Sequence, residues 1–266
     1  MRIAQILACL FLGGCASPGL DQLSRQLPTD THLQALNSAP LMLLAAKQPA
    51  AGGQRLRIYI EGDGRAWITR YKPSLDPTPH STWFAQLAMD DPQPSLWLAR
   101  PCQYIKSPNC NVRHWTNERF SQEVIDSFEQ ALDQLKMEYG NTQFELVGYS
   151  GGAAVALLLA ARRNDIHSVY TLAGNLSPQR WTEQLRLSPL SGSLEPSHYK
   201  AQLRHIPQRH LSGAEDKVIP SNLALDWQQT LASPCLEVIS LPSVDHHTGW
   251  AQAWRQWRTQ PAPEGC

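Results

Sequence analysis

Phe144-Glu145-Leu146-Val147-Gly148-Tyr149-Ser150-Gly151-Gly152-Ala153-Ala154-Val155-Ala156-Leu157-Leu158 decides the fold. A short apolar run reads as a buried strand, and the Ala- and Leu-rich run after it reads as a buried helix. The join, Gly148-x-Ser150-x-Gly152, is a strand-to-helix turn that holds a serine in a strained backbone conformation. Glycines two residues to either side remove the Cβ atoms that would clash there. A helix N-terminus behind the hydroxyl favours negative charge developing at it. Ser150 is therefore a candidate nucleophile.

Outward from this turn the chain alternates strand-like and helix-like segments. Upstream, Leu41–Ala46, Leu56–Ile60 and Ser95–Ala99 read as strands and Ser81–Met89 as a helix. Ser121–Tyr139 places Val124, Ile125, Phe128, Ala131, Leu132 and Leu135 at helical spacing. Downstream, Ile166–Ala173, Arg209–Leu211 and Leu236–Leu241 read as strands, with helices at Asn222–Leu231 and Thr248–Arg258. This alternation predicts an α/β fold: a mainly parallel central sheet with helices on both faces. Residues 175–208, rich in Pro, Ser and Leu, interrupt it as a candidate small cap. The 266 residues are 42% hydrophobic and 17% charged, which supplies a core and argues against disorder. With 23 basic and 23 acidic residues there is no electrostatic case for nucleic acid as a partner.

A serine hydroxyl needs a base, and the base needs an orienting acid. Both types follow Ser150 in order. Leu211-Ser212-Gly213-Ala214-Glu215-Asp216-Lys217-Val218-Ile219-Pro220 ends a strand in an acidic loop, and Val244-Asp245-His246-His247-Thr248-Gly249-Trp250 follows the last strand. On these three motifs and its element order over about residues 41–260, the chain resembles an α/β-hydrolase. The resemblance implies a Ser-His-Asp triad of Ser150, His246 and Asp216, with cleavage of an acyl ester through an acyl-enzyme and no metal or cofactor. His247 stands as the alternative base; Glu215 and then Asp245 are backup acids.

The resemblance also implies two oxyanion-hole amides. Gly151, immediately after the nucleophile, supplies one. The other is expected from the loop Glu61-Gly62-Asp63-Gly64, where Glu61-Gly62 replaces the His-Gly of many relatives; the Asp63 amide is the candidate. Trp67 beside this loop is a candidate pocket residue, whereas Trp250, Trp254 and Trp257 share one helix face and read as core.

The N-terminus, Met1-Arg2 followed by a short apolar run to Leu12-Gly13-Gly14-Cys15, fits a signal peptide. Leu12-Gly13-Gly14-Cys15 resembles the bacterial lipobox, which implies removal of residues 1–14 and lipidation of Cys15. The expected organisation is then a lipidated tether and entry segment over 15–40 and a hydrolase domain over 41–266. By the same resemblance Ala16 after the cysteine implies the outer membrane; the expected face is the periplasmic one, with the outer face as the alternative. Cys102, Cys110, Cys235 and Cys266 remain, an even number in an oxidising compartment, for which three pairings exist. The short spacing pairs Cys102 with Cys110, leaving Cys235 for Cys266. Expected partners are a small-molecule or lipid acyl substrate and the membrane, through the anchor. The alternative reading is a non-catalytic envelope protein that uses the same fold for binding or assembly.

Overall fold

A computed structural model describes residues 18–48 and 53–263. The chain begins with helix α1 (Pro18–Gln26), strands β1 (His32–Leu36), β2 (Leu43–Lys47) and β3 (Arg55–Ile60), and a hairpin of β4 (Trp67–Thr69) and β5 (Lys72–Pro73). Then come α2 (Trp83–Met89), β6 (Ser95–Leu98), α3 (Gln122–Tyr139), β7 (Gln143–Tyr149), α4 (Gly151–Arg162) and β8 (Ile166–Leu172). The last part holds α5 (Pro178–Gln184), α6 (Lys200–Leu203), β9 (Gln208–Gly213), α7 (Asn222–Leu231), β10 (Leu236–Leu241) and α8 (Trp250–Trp257).

Eight strands form one sheet in the order β1-β2-β6-β3-β7-β8-β9-β10, while β4 and β5 pair only with each other. β2 runs antiparallel to both its neighbours, and every other pairing in the large sheet is parallel. The two-residue period of a strand sends alternate side chains to opposite cores. In β3, Leu56, Ile58 and Ile60 face one core and Tyr59 the other; in β7, Phe144 and Leu146 oppose Val147 and Tyr149. The first core is closed by α3, α4, α6 and α7 through residues such as Phe128, Leu157, Leu203 and Trp227. The second is closed by α1, α2 and α8 through Leu23, Phe84 and Trp254.

Local signals explain the helix ends. The Ser121 hydroxyl accepts the Val124 amide at the start of α3, and Gly140, at φ 66°, closes its end with its amide on Lys136 O. Helix α4 has no polar face because it is covered all round; Gly151 to Ala160 are all buried. Trp250 and Trp254 are core residues, and Trp254 Nε1 donates to the Tyr59 hydroxyl at 2.7 Å.

The packed unit begins earlier than residue 41. Within the stretch expected to be tether and entry segment, α1 buries Leu23 against the second core and β1 adds an edge strand beside β2. Three buried leucines, Leu23, Leu27 and Leu36, and a half-exposed edge strand suffice to dock this polar segment. The 175–208 stretch is divided rather than a continuous cap. Pro196 and Leu203 are buried, with α6 against α4, and only the part around α5 borders the site described below. Cys102 and Cys110 form a disulfide, as their spacing predicts. Residues 1–14, Cys15 and Cys266 lie outside the described residues, so the leader, the lipidation site and the Cys235–Cys266 pairing do too.

His210 on β9 is buried, with Nδ1 2.9 Å from Thr171 Oγ1 and Nε2 3.1 Å from Gln208 Oε1. Burial pushes its pKa down to about 3 from 6.5. The folded state thus refuses a proton that the unfolded chain takes up below about pH 6.5. Stability from this group is complete above that pH and is lost as pH falls toward 3. We expect a contribution on the order of 2–3 kcal/mol to vanish between pH 7 and pH 4. Denaturant unfolding of wild type and His210→Gln at several pH values checks it; identical slopes against pH would refute it.

Candidate active site

Ser150, Asp216 and His246 sit on loops leaving the carboxyl ends of β7, β9 and β10, where open parallel sheets place their ligands. Ser150 has φ 51° and ψ −120°, a conformation that side-chain-bearing residues rarely adopt. The surroundings hold it there: its amide donates to Leu172 O, and its carbonyl accepts from Ala153 N and Asn175 N. The flanking glycines are required by close approach. A Cβ on Gly148 would lie 2.6 Å from Ala153 Cα, and one on Gly152 would lie 2.2 Å from Ile60 O. The nucleophile turn is thereby wedged against the end of β3.

The three side chains form one hydrogen-bonded chain. His246 Nε2 is 3.1 Å from Ser150 Oγ, and His246 Nδ1 is 2.8 Å from Asp216 Oδ2. With the ring proton on Nδ1, the imidazole donates to the carboxylate and accepts from the serine hydroxyl. Asp216 is fixed in turn, because its Oδ1 accepts the Val218 and Ile219 amides at 2.8 Å each. The Tyr149 hydroxyl donates to His246 O at 2.9 Å, tying the histidine loop to the nucleophile turn.

The alternatives lie elsewhere. His247 is exposed, its ring edge-on to His246 at 5.0 Å and its Nδ1 3.4 Å from the Tyr149 hydroxyl. Asp245 accepts the His247 and Thr248 amides instead of meeting the His246 ring. Glu215 contributes its amide to Val244 O.

The loop after β3 meets the nucleophile turn from the other side. Glu61 is buried; its carboxylate accepts Gly62 N at 2.8 Å and Trp97 Nε1 at 3.0 Å. Burial raises its pKa to about 7 against those two hydrogen bonds and the charge of Arg100. With the Gly62 amide thus engaged, the next amide, Asp63 N–H, has no protein acceptor among the described residues. Gly151 N–H lies in the first turn of α4, where amides lack intrahelical acceptors.

Sequence reasoning missed what holds this loop. Asp63 Oδ1 accepts Arg100 Nη1 at 3.0 Å and Asp63 Oδ2 accepts Arg119 Nη1 at 2.6 Å, while Gln103 Nε2 donates to Gly62 O at 3.0 Å. Burial alone would raise the Asp63 pKa, but the two guanidiniums overcome it and hold it below the usual range. Arg100 and Gln103 flank Cys102, so the disulfide fastens the segment that fastens the loop.

Ser150 opens into a cavity of about 510 Å³ whose lining includes Trp67, Trp83, Trp181, Val218, Ile219 and His247. Trp67, expected beside the oxyanion loop, stands in the wall of this cavity.

No family model matches the chain, and no curated protein sequence does. Solved structures do. An esterase of Pyrococcus furiosus, 11% identical, aligns with a TM-score of 0.62 over 90% of this chain and 91% of its own. A lidless α/β serine hydrolase of Xanthomonas campestris, 16% identical, aligns at 0.55 over 90% and 99%. TT1662 of Thermus thermophilus, 18% identical, aligns at 0.57 over 81% and 90%. The chain has the α/β-hydrolase fold, and its solved structural neighbours include esterases and serine hydrolases.

Proposed function

We propose that the protein is a serine hydrolase that cleaves acyl esters and is held in the bacterial envelope by a lipid on Cys15. The observation that carries the catalytic reading is the unbroken hydrogen-bond chain Ser150–His246–Asp216 at the floor of an open cavity. Support also comes from the esterases among the structural neighbours.

Ser150 Oγ attacks the ester carbonyl carbon as His246 Nε2 takes its proton; the carbonyl π pair moves onto the oxygen. The Gly151 and Asp63 amides receive that oxyanion, each such donor contributing about 3 kcal/mol of barrier lowering. The C–O bond to the alcohol breaks, His246 returns the proton to the departing oxygen, and an acyl-enzyme remains. Water then repeats the sequence, with His246 as its base. It releases the carboxylic acid and restores the Ser150 hydroxyl. Asp216 holds the ring tautomer and stabilises the imidazolium between transfers.

The lipid anchor rests on Leu12-Gly13-Gly14-Cys15 and the outer membrane on Ala16, while the even cysteine count suits an oxidising compartment such as the periplasm. The Cys102–Cys110 bond suits an oxidising compartment.

Fluorophosphonate labelling of membranes from bacteria expressing the full chain tests both parts. Wild type is expected to label in the outer-membrane fraction and Ser150→Ala to lose the label there. Cys15→Ala should keep the label and leave that fraction. A folded wild type that takes no label would point to a binding or assembly role. A Cys15→Ala protein that stays in the membrane would remove the anchor alone.

A further inference from the structure

A second cavity, of about 570 Å³, lies beside the first and shares Trp67, Arg119 and Trp181 with it. A short ester such as an acetate needs only the first. Either volume alone falls within the roughly 300–1,000 Å³ that holds a drug-sized ligand, so the pair exceeds what a small ester would use.

The chemistry of the second cavity is apolar. Ile68, Leu187, Pro189 and Leu190 line it together with the two shared indoles. Five of its polar lining residues, Thr69, Arg70, Thr116, Asn117 and Arg119, are engaged with protein partners, and the sixth, Ser188, is exposed at its edge. Thr116 Oγ1 donates to Val112 O at 2.7 Å, Asn117 Nδ2 to Ser191 O at 2.9 Å, and Arg119 Nε to Thr116 O at 2.6 Å. Thr69 Oγ1 accepts the Lys72 amide at 3.2 Å. The walls are also joined to one another. Arg70 on the β4–β5 hairpin donates to Arg186 O, and Trp181 Nε1 donates to Val218 O at 2.7 Å on the loop that carries Asp216.

Resting on the serine-hydrolase reading above, we propose that this chamber receives one long apolar arm of the ester. The substrate class is then an ester with an extended hydrocarbon chain, led past Trp67 and Trp181 away from Ser150. The arm belongs to either the acyl or the alcohol half; the chemistry that recognises it is the same.

Two ester series decide it with the full-length protein in detergent: p-nitrophenyl esters of growing acyl chain, and acetates of growing alkyl chain. In one series kcat/KM should rise by up to about fourfold per methylene until the chamber is filled. Leu187→Trp and Ser188→Trp, both remote from the Ser150–His246–Asp216 chain, plug the chamber. Each should cost about tenfold or more on the longest ester of that series and leave the acetate ester within about twofold. Two plugs are used so that poor folding of one does not decide the test; melting temperature identifies that case, and the other variant then decides. Flat chain-length dependence in both series, or a plug that lowers all esters equally, would overturn the chamber. A short fluorophosphonate that labels Ser150 would still leave the hydrolase reading standing. If neither esters nor that probe react, both readings fall together.

Discussion

Replacing His246 with alanine is expected to lower kcat on a short ester by at least about 10⁴-fold, while His247→Ala changes it by no more than a few-fold. The two rings are sequence neighbours, and only their surroundings separate them. His246 is buried between Ser150 Oγ and Asp216 Oδ2, whereas the His247 ring is exposed at the cavity rim, beside the His246 ring and 3.4 Å from the Tyr149 hydroxyl. Removing His246 leaves the serine proton without an acceptor and the Asp216 carboxylate without the ring N–H it accepts. Removing His247 takes away one wall of the pocket. Steady-state hydrolysis of p-nitrophenyl acetate by both variants separates the cases. A large loss in His247→Ala alone would mean that the base has been misassigned.

Asp63→Ala is expected to destabilise the protein by about 3–5 kcal/mol, because it leaves Arg100 and Arg119 buried without their shared carboxylate. For a chain of this size that corresponds to a fall of about ten degrees in Tm. The same carboxylate forms part of the site. A Cβ on Gly151 would come within 2.1 Å of Asp63 Oδ1, so the ion cluster packs directly against the residue that follows the nucleophile. Activity should therefore fall even at temperatures where the variant is folded. Asp63→Asn keeps the volume and part of the hydrogen bonding, and should lie between alanine and wild type in both readouts. Thermal unfolding of the three proteins gives the answer; an alanine variant melting within about two degrees of wild type would show that the arginines find other partners.

What the sequence discloses about this site depends on distance along the chain. Ser150, Asp216 and His246 each stand in a local motif at the end of an apolar run, because strand ends and tight turns leave short-range signatures. The arginine pair leaves none. Arg100 and Arg119 meet Asp63 across 37 and 56 residues, and only the folded sheet brings them together. The same holds for the buried cluster of Arg57, Asp91 and Glu145, whose members look like ordinary surface charges when read singly. Helix α1 and strand β1 were hidden for a different reason. Each docks through so few buried side chains that no periodic apolar pattern marks it. The β4–β5 hairpin is only three and two residues long per strand, too short for alternation to show. Helices α5 and α6, seven and four residues long, go unread inside 175–208; strong periodicity made the other elements legible, with the bounds predicted for β10 the observed ones and those of α3 off by one residue.

The hairpin's isolation has an evolutionary side. It pairs with no strand of the large sheet, so the residues that shape the second cavity are separated from the hydrogen-bond ladder on which folding depends. Side chains of β4 are exposed, whereas those of β3 and β7 are almost all buried, so substitution in the hairpin disturbs no core packing. Selection or a laboratory library confined to residues 67–71 and 187–190 would sample new substrate preferences while the inherited scaffold stays intact. On the chamber proposal, chain-length preference would be set by a part of the molecule that lies outside the main sheet.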